Sequence, residues 1–156
     1  MYLSCHTYFS FRYGTLSPEE LFLEAHRHGV HKLVLADINN TSAWIDMQRI
    51  CIENREKHQL EIALGITFLW DGRWLYTGIA RNNAGFEELN RFLSSHNNRQ
   101  EALPETAPAF SDVFVVYPWD ARHPSNLHEN EYAGIRYQDL NRLLRSPYYE
   151  RQDKLE

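Results

Sequence analysis

A chain of 156 residues, 43% of them hydrophobic, is long enough for one domain around one buried core. Its longest apolar runs, at 32–36 and 113–117, fall far short of the roughly 20 residues that cross a bilayer, which argues against a membrane-spanning helix. A net charge of −5 argues against a strongly basic nucleic-acid platform, because affinity for phosphate backbones comes from clustered Lys and Arg.

The start, Met1-Tyr2-Leu3-Ser4-Cys5-His6, lacks the basic and then long apolar regions of a secretory signal, so the expected location is cytoplasmic. Cys5 and Cys51 have no metal-type spacing and read as reduced packing residues. Aromatic residues make up 13% of the chain and fall mostly inside apolar patterns, which points to core packing.

Extended and helical patterns alternate from the first residue, the signature of strands joined by crossover helices. Residues 2–6 predict a short strand. Ser17, Pro18 and Glu20 then form the start of a helix, with a cap, a proline at the first helical position and an S-x-x-E capping box; Gly29 supplies the stop. The run 32–36, ending at Asp37, predicts a buried parallel strand. Asn39-Asn40-Thr41-Ser42 reads as turn and helix-capping chemistry, and Ala43, Met47, Ile50 and Cys51 recur at helical spacing after it. A strand at 61–69 and another at 74–80 flank Asp71-Gly72, which predicts an antiparallel hairpin. Phe86, Leu89, Phe92 and Leu93 mark a third helix, and 97–111 reads as an exposed loop. The run 113–117 predicts another buried strand stopped by Pro118, and 132–136 and 138–144 predict a last strand and short helix. The charged end, 150–156, closes no element and predicts a chain cut within a larger protein.

Three segments sit at the carboxyl ends of predicted strands: Leu3-Ser4-Cys5-His6-Thr7, Leu35-Ala36-Asp37-Ile38-Asn39-Asn40 and Leu64-Gly65-Ile66-Thr67. In barrel folds that rim is where sites assemble. Together with Tyr13-Gly14-Thr15-Leu16-Ser17-Pro18-Glu19-Glu20-Leu21 and Ile79-Ala80-Arg81-Asn82-Asn83-Ala84-Gly85-Phe86, these segments resemble the amino-terminal PHP (polymerase and histidinol phosphatase) domain of bacterial DNA polymerase III alpha subunits. The resemblance runs through essentially the whole chain. It implies an α/β fold, a partial or distorted (β/α) barrel of PHP type with five or six mostly parallel strands, with 1–156 forming the amino-terminal part of one domain.

Intact members of that family carry H-x-H after the first strand, D-H after the second and Glu after the third, as ligands of a multinuclear metal centre. Here Ser4 stands at the first His, His6 and Asp37 are kept, Ile38 replaces the next His, Thr67 stands at the Glu, and Leu75 occupies a further position that is His in some alpha subunits. A hydrolytic centre needs several imidazoles and carboxylates around its cations, so no metal is expected at Ser4, His6, Asp37, Ile38 and Thr67. A hydrogen bond between His6 and Asp37 is the simplest expectation for the retained pair. His26 and His28 point in different directions on a helix, and the other histidines read as scattered over helix faces and loops.

No catalytic residue and no cofactor is expected in the chain itself. The resemblance implies a non-catalytic structural and interaction module of a replicative polymerase, whose Mg-dependent chemistry belongs to a separate, downstream domain. It also implies partners: the remainder of the alpha subunit, the proofreading exonuclease, and DNA through the parent protein. The alternative is a metal-dependent phosphoesterase or proofreading nuclease with an unusual ligand set. A partial barrel also leaves an uncovered sheet edge, which predicts a homodimer or larger assembly, with exchange of the carboxyl-terminal segment 132–156 as one route.

Overall fold

The computed structural model of the chain describes residues 2–136, 139–143 and 145–155. Six strands form one sheet in sequence order, and the sheet curls into half of a barrel. They are β1 (Tyr2–Cys5), β2 (Lys32–Leu35), β3 (Glu61–Trp70), β4 (Arg73–Ala80), β5 (Val113–Pro118) and β6 (Glu131–Gly134). The pairs β1–β2, β2–β3 and β5–β6 are parallel, whereas β4 runs antiparallel to both neighbours. Five of the six strands therefore point the same way, as a partial (β/α) barrel requires.

Three helices cover the convex face: α1 (Pro18–Arg27), α2 (Trp44–Glu53) and α3 (Asn83–Arg99). The capping box of α1 is formed in full: Glu20 N donates to Ser17 Oγ, and Ser17 N donates to the Glu20 carboxylate. Phe22 and Ala25 of α1 pack with Met47 and Ile50 of α2 over Leu33 and Leu35. Cys5 and Cys51 are free thiols at the margin of this cluster. Leu89 and Leu93 of α3 enter a larger core with Ile66, Phe68, Tyr76, Val115 and Tyr117. Each fully buried aliphatic side chain here contributes roughly 1.5–3 kcal/mol of transfer free energy. The concave face has its own apolar centre, in which Val34, Ala36, Ile79 and Val116 meet Leu3, Ala63 and Phe114.

The hairpin turns at Asp71 and Gly72, with φ of 48° and 73°. Positive φ at both central residues matches the right-handed twist of the flanking strands, which is why Asp-Gly suits this turn. The ladder slips between Phe68 and Leu69, so that Phe68 pairs with Tyr76 and Leu69 with Trp74. Leu75 falls at this irregularity and is buried in the convex core.

Two boundaries differ from the pattern. The segment 97–111 is only partly an exposed loop: α3 runs on to Arg99, and Leu103 and Ala107 are buried in the core beyond it. The apolar side chains of a nominally polar stretch fill the gap between α3 and β5. The last strand is Glu131–Gly134, and a short helix, α4, follows at Leu140–Leu143; the two ends of the predicted helix, at 138 and 144, lie outside the described residues. The chain then returns to β6, where Leu155 bridges to Ala133 and Lys154 Nζ donates to the carbonyls of His128 and Glu129. The outer side of β6 is thus partly covered within one chain. No helix among the described residues is long and apolar enough to cross a membrane.

Candidate functional site

The carboxyl ends of β1, β2 and β3 form one rim, and the loops there are tied together by hydrogen bonds. Asp37, just beyond β2, is 2% exposed. One carboxylate oxygen accepts from Thr7 N at 2.7 Å and from Ser10 Oγ at 2.6 Å, and the other accepts from Thr7 Oγ1 at 2.7 Å. Ser10 Oγ also accepts from Ile38 N at 2.9 Å. The carboxylate is thereby the anchor of the β1–α1 loop. The expected His6–Asp37 bond is absent among the described contacts, because Thr7 and Ser10 occupy the carboxylate first.

Thr7 and Ser10 turn inward, so the aromatic residues between and after them turn outward. Tyr8, Phe9, Phe11 and Tyr13 are all exposed, Phe11 to 82%. These four depart from the core packing expected of most aromatic residues in the chain. Gly14 closes the loop: an added Cβ would lie 1.9 Å from the Thr7 carbonyl oxygen, so the backbone approach admits no side chain.

Ile38, beyond the end of β2, continues the pairing with β3 through a parallel bridge to Thr67. Asn39, at φ 50°, extends it further: its side-chain amide donates to Leu69 O at 2.7 Å and its carbonyl accepts from Leu69 N at 3.0 Å. The left-handed conformation is one that Asn tolerates better than most residues. Asn40 supplies turn chemistry through Ser42 N, but helix α2 takes no side-chain cap, since Ala43 holds the N-cap position. The capping part of the expectation for this tetrad is therefore corrected.

Thr67 Oγ1 lies 3.2 Å from Thr77 Oγ1 across the hairpin, and Ser4 Oγ lies 3.3 Å from His6 Nε2. His6 Nδ1 is buried without a hydrogen-bond partner among the described residues. These side chains border a pocket of about 480 Å³ on the concave face, lined also by Tyr2, Tyr13, Ile38, Trp74 and Arg136. From β4 the pocket receives Trp74 and Thr77. Leu75 does not line it, because the slipped ladder turns Leu75 to the convex side.

The donor set does not fit a multinuclear metal centre. Asp37 already accepts three hydrogen bonds, Ile38 has no donor atom in its side chain, and Thr67 is paired with Thr77. Among the described residues no three His, Cys, Asp or Glu side chains are arranged to hold a cation.

Three histidines that read as scattered do meet, at the opposite end of the strands. The His58 ring lies 4.9 Å from that of His26 and 5.1 Å from that of His31. His58 is buried, with Nε2 2.8 Å from Val30 O, and His31 Nδ1 is 3.2 Å from Gln59 O. The contacts join α1, the start of β2 and the approach to β3, positions far apart in sequence.

No family model matches the chain. Over 118 residues, 76% of its length, it is 29% identical to the error-prone DNA polymerase of Symbiobacterium thermophilum. The chain is related to a bacterial DNA polymerase. The PHP resemblance drawn from the motifs stands with this relationship, and the half-barrel is the fold that resemblance implied. The matched part spans about a tenth of the polymerase. Two solved structures share part of the backbone course, each with a TM-score of 0.47. One is assigned as a metal-dependent phosphoesterase from Bifidobacterium adolescentis, 21% identical, matching 62% of this chain and 33% of that one. The other is an amidohydrolase from Chromobacterium violaceum with bound sulfate and no metal, 19% identical, matching 63% of this chain and 33% of that one. Neither likeness carries an argument about chemistry.

Proposed function

We propose that the chain is a non-catalytic PHP-type module of a replicative DNA polymerase, of the DNA polymerase III alpha kind, with a structural and interaction role in DNA replication in the cytoplasm. The observation that carries this reading is the state of Asp37. Where a hydrolytic centre needs free carboxylate oxygens facing a cation, both oxygens of Asp37 are engaged by Thr7 and Ser10. The neighbouring Ile38 and Thr67 supply neither imidazole nor carboxylate, and neutral hydroxyls are weak ligands for zinc or manganese. The relationship to an error-prone DNA polymerase supports the polymerase context. In this reading the partners are the rest of the polymerase, through it DNA, and the proofreading exonuclease, and the Mg-dependent chemistry belongs to the parent protein.

The test is metal content after chelator-free purification, together with hydrolysis of a chromogenic phosphate monoester and diester in the presence of Mn²⁺ or Zn²⁺. The reading expects substoichiometric metal and no turnover above the buffer rate. Stoichiometric zinc or manganese together with turnover lost on Asp37→Ala would overturn it in favour of an unusual phosphoesterase or nuclease.

A further inference from the structure

The pocket on the concave rim occupies the place where the related fold would hold its metals, yet it is built for something else. Its walls are apolar and aromatic: Leu3, Ile38 and Leu69 with Tyr2, Tyr13 and Trp74. None of the described residues that line it is a carboxylate. Arg136 is its charged member; the guanidinium lies over the Trp74 ring at 5.7 Å and makes no ion pair among the described residues. Two side chains of the pocket, His6 and Trp74, carry buried nitrogens, Nδ1 and Nε1, that have no hydrogen-bond partner among the described residues. An indole N–H is a donor only, and a buried donor left unpaired costs free energy that an acceptor would recover. The guanidinium and the spare donor select for an anionic group, and the aromatic wall for a flat ring beside it.

We propose that this pocket binds, without metal, a small molecule consisting of a planar aromatic ring system that bears one anionic group. The ring packs between Trp74 and the tyrosines at the mouth, and the anionic group, a carboxylate or a phosphate, accepts from Arg136 and from Trp74 Nε1–H after a small rotation of the indole. A volume of about 480 Å³ accommodates a bicyclic ring with its substituent. The proposal rests on the reading that this rim has no metal centre, and the two can fail separately.

The experiment titrates the full chain in EDTA with four matched probes: 1-naphthylacetate, 1-naphthyl phosphate, 1-naphthylacetamide and 1-naphthylethylamine, followed by ligand-observed NMR and Trp fluorescence. Both anions are expected to bind with a Kd of about 1 mM or tighter. The neutral amide should bind about tenfold more weakly and the amine more weakly still. The tighter of the two anions identifies the source of the charge as carboxylate or phosphate. Arg136→Gln, at an exposed position, should weaken both anions about tenfold and leave the amide nearly unchanged, and Trp74→Phe, which keeps a ring but removes the N–H, should do so to a smaller degree. Unchanged circular dichroism and melting temperature of Arg136→Gln establish that the loss is local. Absence of binding by every probe, equal binding of anion and amide, or anion binding that appears only after Mn²⁺ is added would each overturn the proposal. Hydrolysis of 1-naphthyl phosphate with Mn²⁺ would instead overturn the non-catalytic reading, and binding in EDTA would still decide the proposal made here.

Discussion

Replacing Asp37 separates a structural carboxylate from a metal ligand. In Asp37→Ala three donors lose their acceptor at once: Thr7 N, Thr7 Oγ1 and Ser10 Oγ. A buried donor left unpaired costs about 1–3 kcal/mol, and the two hydroxyls recover part of that by rotating toward other acceptors. The net loss is therefore about 3 kcal/mol. Asp37→Asn keeps one carbonyl for Thr7 N and Ser10 and presents an N–H to Thr7 Oγ1, which can reverse its role; it also removes a buried charge, so its cost is smaller, about 1–2 kcal/mol. Urea denaturation in EDTA, followed by far-ultraviolet circular dichroism, reads both values, and limited proteolysis within the aromatic loop should accelerate in parallel with them. A metal ligand behaves in the opposite way in EDTA, since losing one carboxylate from an empty cluster relieves repulsion. Asp37→Ala as stable as the parent, or more so, in EDTA would refute the anchor.

Gly14→Ala should destabilise by more than 2 kcal/mol in the same assay, since its Cβ would meet the Thr7 carbonyl oxygen at 1.9 Å; Gly72→Ala, with φ 73° and nothing within 4 Å, should cost only the backbone strain of about 1 kcal/mol. Burial pushes the Cys5 thiol up from 9.0 to about 11, so the stability linked to its protonation is complete below about pH 9 and is lost as pH rises through about 11; urea midpoints should fall across that window, and less steeply in Cys5→Ser. Burial also raises Tyr76, and then the neighbouring Tyr117 raises it further, so its contribution is lost in the same alkaline direction. Ser4→His, Ile38→His and Thr67→Glu combined should raise Mn²⁺ affinity in calorimetry without producing phosphatase turnover, because a hydrolytic centre depends on a closed ligand set; robust turnover from Ser4→His alone would contradict that.

The strand and helix pattern was legible because apolar period and punctuation agreed: Ser17-Pro18 with Glu20 opened α1, and Asp71-Gly72 closed the hairpin. Ser4, Ile38 and Thr67, which stand where the resembled family carries ligands, were likewise legible, since each lies in or just beyond a strand that the pattern located. What replaced them was not. That Thr7 and Ser10 reach Asp37 depends on how the β1–α1 loop folds back over about 30 positions, and no local pattern encodes that reach. That Leu75 faces away from the pocket was not legible, because a slip in the β3–β4 ladder changes which residues face the concave side, and strict alternation cannot register a slip. The meeting of His26, His31 and His58 is equally a product of topology, joining an α-helix to two strand entrances. One signal was readable in hindsight: Tyr8, Phe9, Phe11 and Tyr13 do not follow a strand or helix period, and aromatic residues without a period are candidates for the surface.

The double hydrogen bond between Asn39 and Leu69 has a consequence for how such a rim can change over time. In a metal-dependent site the cation is itself a rivet between strand ends, and removing it loosens the loops it joins. Here the same strand ends are riveted by an amide side chain, with the Asp37 loop anchor beside it. These strand ends are therefore joined by protein groups of the chain itself. Substitutions at Ser4, Ile38 and Thr67 can then reshape the lining of the pocket without unfastening the scaffold around it.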